Sequence, residues 1–200
     1  MNTKSLCWLT AGCLAAVTFV AAATVPDALQ PARSDAPPAR NADSFSPYVT
    51  KDGGISRPTN YRETFLHLGS WAVATKPDKP VDEMHNVYAR PEDIKAYRRD
   101  GTVLIKELSS VGSKKAPSGN GYFQGKFTGL EASIKDSKRF KDEPGNWAYF
   151  SFGHKYPLKA EVSKNATAAC NKCHEDNAKK DDWVFSQDYP VLRAAAPKSK

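Results

Sequence analysis

The sequence predicts an α+β fold: an antiparallel β-sheet flanked by helices at both ends of the chain, the C-terminal helix carrying a Cys-x-x-Cys-His pattern. Three observations predict it. Residues 84–90, 102–109, 121–135 and 147–152 are β-branched and aromatic stretches that read as strands, residues 121–135 as one or two. Turn-forming residues separate them, at Asp100-Gly101, in a Gly/Ser/Lys/Pro loop at about 111–120, and at Pro144-Gly145-Asn146. Helical patterns gather toward the two ends, and 200 residues suit one domain with an extension.

The first segment stands outside that fold. Residues 1–23 read as a secretory signal peptide. Lys4 supplies the positive start, residues 6–22 carry no charge, and Ala21-Ala22-Ala23 provides a cleavage site. The apolar run falls short of the roughly 20 residues of a spanning helix. Residues 24–50 hold Pro26, Pro31, Pro37, Pro38 and Pro47 without apolar periodicity and read as a flexible tether. Residues 51–195 are then the domain, and residues 196–200 a short basic tail.

Within the domain, residues 59–73 read as a helix. Thr59 is its cap, and Tyr61, Phe65, Leu68 and Trp71 run along one face. Pro91-Glu92-Asp93 opens a short helix toward Arg99, with acids near the positive end of the dipole. Residues 166–179 form the helix that bears the cysteines, and a last short helix covers 189–195.

Composition narrows the function. A mean hydropathy of −0.58 excludes a polytopic membrane protein. The chain has 29 basic and 22 acidic residues. Lys4 is the only charge lost with the signal, leaving 28 against 22 and a net charge of +6. Cys7 and Cys13 leave with the signal too, so only Cys170 and Cys173 remain. Two cysteines in an exported protein cannot form a multi-bridge framework; they form one short disulfide, a redox pair or a cofactor anchor.

Cys170-Asn171-Lys172-Cys173-His174 decides among these. It is the attachment pattern of c-type haem. On a helix both thiols share a face and can reach the two vinyl groups of one porphyrin, while the adjacent His174 can ligate the iron. A thioredoxin-like pair belongs near a βαβ pattern early in a fold, and this one sits near the C-terminus. Zinc would need a second ligand pair at matching spacing. No methionine follows His174, and Met84 lies far upstream, so the usual sixth ligand of an electron carrier is missing. His67, His85 and His154 are the other candidate ligands. The economical reading is an iron with His174 on one side and an open position on the other, suited to binding or transforming a small molecule.

The strand at 102–108 stands out. Alternation places Leu104, Lys106 and Leu108 on one face and Val103, Ile105 and Glu107 on the other. Both faces are mostly apolar, and a buried lysine is costly unless paired or neutralised. Lys106 either snorkels out from an edge strand or points at a cofactor.

The stretches Gly101-Thr102-Val103-Leu104-Ile105-Lys106-Glu107-Leu108, Gly119-Asn120-Gly121-Tyr122-Phe123, Gly129-Leu130-Glu131-Ala132-Ser133, Glu143-Pro144-Gly145-Asn146-Trp147-Ala148, the Cys-x-x-Cys-His, and Tyr189-Pro190-Val191-Leu192-Arg193 occur in this order. Over about residues 57–195 the chain resembles the cytochrome P460 family, mono-haem c-type cytochromes that oxidise hydroxylamine. The resemblance implies a haem c bound through Cys170 and Cys173, with iron ligated by His174. It implies a cross-link from the Lys106 nitrogen to the porphyrin and a distal, proton-managing carboxylate at Glu131. A well-known member has an arginine where this chain has His85, so a role for that arginine does not carry over.

The implied reaction oxidises hydroxylamine to nitrous oxide by way of an iron-nitrosyl, with electrons passed to an external acceptor in the periplasm. The related c-prime-beta cytochromes bind nitric oxide and lack the lysine cross-link; they supply the alternative. A homodimer is also implied. The basic residues are scattered with little aromatic interleaving, which points away from nucleic acid and at most toward an acidic electron-acceptor cytochrome. No membrane span is expected once the signal is removed.

Overall fold

The computed structural model describes residues 45–163 and 168–195. The expected signal peptide, most of the expected tether and the basic tail lie outside the described residues. The centre is a five-stranded antiparallel sheet made of β2 (Leu66–Val73), β3 (Glu83–Ala89), β4 (Val103–Ala116), β5 (Gly119–Lys135) and β6 (Trp147–Gly153), each hydrogen-bonded to the next in chain order. Short connections give this meander its sequential order. Two short strands, β1 (Ile55–Ser56) and β7 (Glu161–Val162), pair beside it. The helices are α1 (Tyr61–Thr64), α2 (Pro91–Ile94), α3 (Ala168–Ala178) and α4 (Pro190–Ala195).

The sheet is apolar on both faces because its central strands alternate between two cores. Ile105, Ala132, Ile134, Phe150 and Phe152 face one way and pack on Tyr48, Tyr61, Phe65 and Phe140. Val87, Leu104, Trp147 and Tyr149 face the other way, toward Tyr97, Val184, Tyr189 and Leu192. The C-terminal segment thus covers the second face. No helix among the described residues is long and apolar enough to cross a membrane.

Four expectations are corrected. Residues 59–73 are one helical turn followed by strand β2. Tyr61 and Phe65 enter one core, Leu68 enters the other, and Trp71 stays 45% exposed, so their helical spacing never forms one face. Pairing with β3 decides the conformation instead. The expected loop at 111–120 is mostly strand: β4 and β5 continue as a two-stranded ribbon to a turn at Pro117-Ser118. That ribbon has little apolar patterning because its outer part packs on no core, and Tyr122 and Phe123 are exposed there. The helix opening at Pro91 spans one turn, to Ile94, with turns following. The packed domain also begins before residue 51: Ser46, Tyr48 and Val49 are buried, and Val49 bridges Ile55.

Glu107 resolves the question of a charged residue on an apolar strand face. It is buried and accepts hydrogen bonds from Tyr61 Oη, Arg62 Nε (2.8 Å) and Gln124 Nε2 (3.1 Å), so its charge is neutralised beneath the sheet.

Candidate functional site

Lys106 stands on the opposite face from Glu107, at the middle of β4. Its register partners are Val87 on β3 and Glu131 on β5. Directly opposed residues of antiparallel strands share a face, and Lys106 Nζ lies 2.6 Å from Glu131 Oε2. Two bulges prepare this meeting. Leu108 pairs with Gly129 while Ser109 pairs with Phe127, so Thr128 is the extra residue. A second shift lies between Leu130 and Glu131 against β6. Unbroken alternation would put Phe127 on the face of Glu131; with the bulge it packs against the first core.

The cysteine helix lies over this face. Cys170 is half-buried against the second core, whereas Cys173 is exposed; both thiols are free. His174 is fixed from three directions. Its Nδ1–H donates to the Trp183 carbonyl at 2.6 Å, and its ring lies 4.3 Å from that of Tyr149 and 4.8 Å, edge-on, from that of Phe185. Engaging Nδ1 leaves Nε2 as the free ring nitrogen. Burial pushes the His174 pKa down, opposed by the Trp183 carbonyl, with Lys106 lowering it further and Glu131 raising it. Burial pushes the Cys170 thiol up, and Glu131 adds to that. The charges of Lys106 and Glu131 thus act on both Cys170 and His174.

The Trp183 carbonyl is itself positioned. Asp182 and Trp183 both adopt the left-handed conformation, with φ of 59°. Asp182 is held by Lys135 Nζ at 2.9 Å to both carboxylate oxygens, and by Trp147 Nε1 at 3.3 Å. Lys135 also donates to the Gly145 carbonyl. Gly145 has φ 60°, and a β-carbon there would run into the Trp183 indole, so the Pro-Gly-Asn turn admits the ring because of its glycine. Trp183 Nε1 donates to Glu175 on α3.

The remaining candidates divide. His85 pairs with Leu108, one step along the same face from Lys106. Met84 alternates onto the other face, away from His174. His67 bonds Ser70, and His154 bonds the Thr128 carbonyl; both are exposed. Tyr149 and the Trp183 carbonyl were missed by the sequence reading. An aromatic in a strand looks like ordinary core, and a backbone acceptor has no signature in residue type.

The family model for cytochrome P460 matches residues 58–186. The chain belongs to the cytochrome P460 family. No curated protein matches it. Membership in the cytochrome P460 family makes this a c-type haem protein, and the residues present suit that group. Two unbridged thiols three positions apart on one helix, followed by an imidazole whose Nδ1–H is already engaged, form the donor set that haem c requires. The Nδ1–carbonyl bond is also the usual way a protein orients a metal-bound histidine.

Proposed function

We propose that this protein is an exported haem c enzyme that oxidises hydroxylamine to nitrous oxide and passes the electrons to an external acceptor. The observation that carries the proposal is the Lys106–Glu131 pair on the sheet face that α3 covers, within reach of His174. Haem c, held through Cys170, Cys173 and His174 Nε2, supplies the redox chemistry when bound.

The protein residues have separate tasks. The Trp183 carbonyl, Tyr149 and Phe185 hold the His174 ring in one orientation. Tyr149, Val184 and Leu192 keep water from that side of the site. Lys106 would be joined to the porphyrin through Nζ. Glu131 Oε2 then loses its ammonium partner and becomes the group that receives a proton from hydroxylamine. A homodimer and an acidic electron-acceptor cytochrome are the partners we propose.

A second reading has one observation in its favour. As an ammonium paired with Glu131, Lys106 needs no cross-link to be stable. An uncross-linked protein would bind nitric oxide without turnover. Two measurements on haem-loaded protein separate the readings. The hydroxylamine oxidase gives a strongly red-shifted reduced-state absorption band and produces nitrous oxide from hydroxylamine plus an oxidant. An ordinary c-type spectrum without nitrous oxide overturns the proposal in favour of nitric oxide binding.

A further inference from the structure

His85 carries a carboxylate of its own. Its Nε2 lies 2.7 Å from Glu83 Oε1, and the two side chains are 17% and 28% exposed. The pair sits two residues apart on β3, hence on one face, and the register places that face with Lys106 and Leu108. The Trp71 ring, on the neighbouring edge strand, lies 6.4 Å from the imidazole and nearly perpendicular to it. The charged groups on this face of the three adjacent strands are therefore Glu83 beside His85, Lys106 on β4, Glu131 on β5, and farther along β5 Lys135, which is held by Asp182.

Two points make the arrangement chemical as well as structural. Glu131 is the one carboxylate beside Lys106 at the centre of the site, whereas oxidising hydroxylamine to nitrous oxide releases more than one proton. His85 does not pair with either of them. Its Nε2 is taken by Glu83, which in the neutral ring fixes the proton on Nε2 and leaves Nδ1 as a bare acceptor. A base whose far nitrogen is held by a carboxylate is the arrangement that orients an imidazole for proton transfer and balances the imidazolium that results.

We propose that His85, oriented by Glu83, is a second proton acceptor on the substrate side of the site, sharing with Glu131 the protons released from hydroxylamine. This rests on the oxidation proposed above. In the step, a substrate N–H or O–H bond breaks and an N–H bond forms at Nδ1. The electrons leave separately to the external one-electron acceptor, and the imidazolium, neutralised by Glu83, returns its proton to water. His85 is the group that meets substrate; Glu83 is a positioning residue.

The test uses haem-loaded wild type, H85A, H85N and E83A with hydroxylamine and an oxidant, together with nitrogen NMR of labelled His85. Wild type is expected to turn over, H85A and H85N to lose about 100-fold in rate, and added imidazole to restore a measurable part of the H85A rate. All variants should keep the wild-type haem absorption, which a merely structural role for His85 would disturb. The NMR signals should show a proton on Nε2 and a bare Nδ1 in wild type, and a mixture of tautomers in E83A. Wild type that fails to oxidise hydroxylamine overturns the proposed function and this role with it. Active wild type with H85A within about twofold of it, or no response to imidazole, or a protonated Nδ1, overturns the role of His85 alone.

Discussion

His174 and Trp183 are joined by a 2.6 Å hydrogen bond from imidazole Nδ1 to a main-chain carbonyl. Since the acceptor is backbone, its position depends on whatever holds the segment. Asp182 does so, through Lys135 and Trp147. Asp182→Asn keeps a side chain that tolerates the left-handed conformation but removes the charge. The expected cost is about 2 kcal/mol, read as a lower midpoint in thermal unfolding followed by circular dichroism. An unchanged midpoint would show that the ion pair does not hold the segment.

The two thiols are expected to act independently in holding haem. Cys170→Ala and Cys173→Ala should each keep haem through one remaining thioether, and the double variant, made in a Lys106→Met background that lacks the proposed cross-link, should release it on denaturation. Haem staining of a denaturing gel distinguishes these cases. Retention by the double variant would mean that the anchor lies elsewhere.

Glu131 and Lys106 make separable predictions. Glu131→Gln should lower hydroxylamine turnover about 100-fold or more while leaving the haem spectrum in place, because the amide cannot accept the proton. Lys106→Met should abolish the red-shifted reduced-state band without detaching haem. A red-shifted band that survives Lys106→Met would assign the cross-link to another residue.

Stability should fall in alkali. Burial raises the phenol of Tyr189 from 10.0 to about 12, and burial raises Tyr61 and Tyr149 as well. Unfolded phenols lose protons near pH 10, whereas these folded ones hold them. Their stabilising contribution is therefore complete below about pH 10 and is lost as pH rises toward and through the folded values. Phenolate absorbance should grow in two stages, exposed tyrosines first and these three only together with unfolding. Titration of all eight tyrosines in the native state would contradict this.

Much of the site was legible because its chemistry is written in residue type. Cys170, Cys173 and His174 are adjacent in sequence, and Lys106 interrupts an apolar alternation that the structure reproduces. The parts that escaped depend on tertiary pairing. Residues 66–73 have a helical spacing of apolar residues yet extend because β3 offers them a partner edge. The outer ribbon of β4 and β5 lacks an apolar face, so the backbone pairing that creates it left no alternation to read. The bulge at Thr128, which moves Phe127 to the other face, adds one residue beside Gly129, and a lone glycine in a strand pattern does not say which way the register shifts.

That bulge separates the ribbon into two mechanical halves. Below it, the register of Lys106 with Glu131 is tied to β3 and β6 on either side and to both cores. Above it, β4 and β5 pair only with each other beyond Val111, out to Pro117-Ser118. A strand slip of one residue would turn the alternate side chains of the slipped part to the wrong face. Such a slip in the outer half can be absorbed at Thr128 before it reaches the site. The outer ribbon can therefore lengthen, shorten or change composition while Lys106 and Glu131 stay in step.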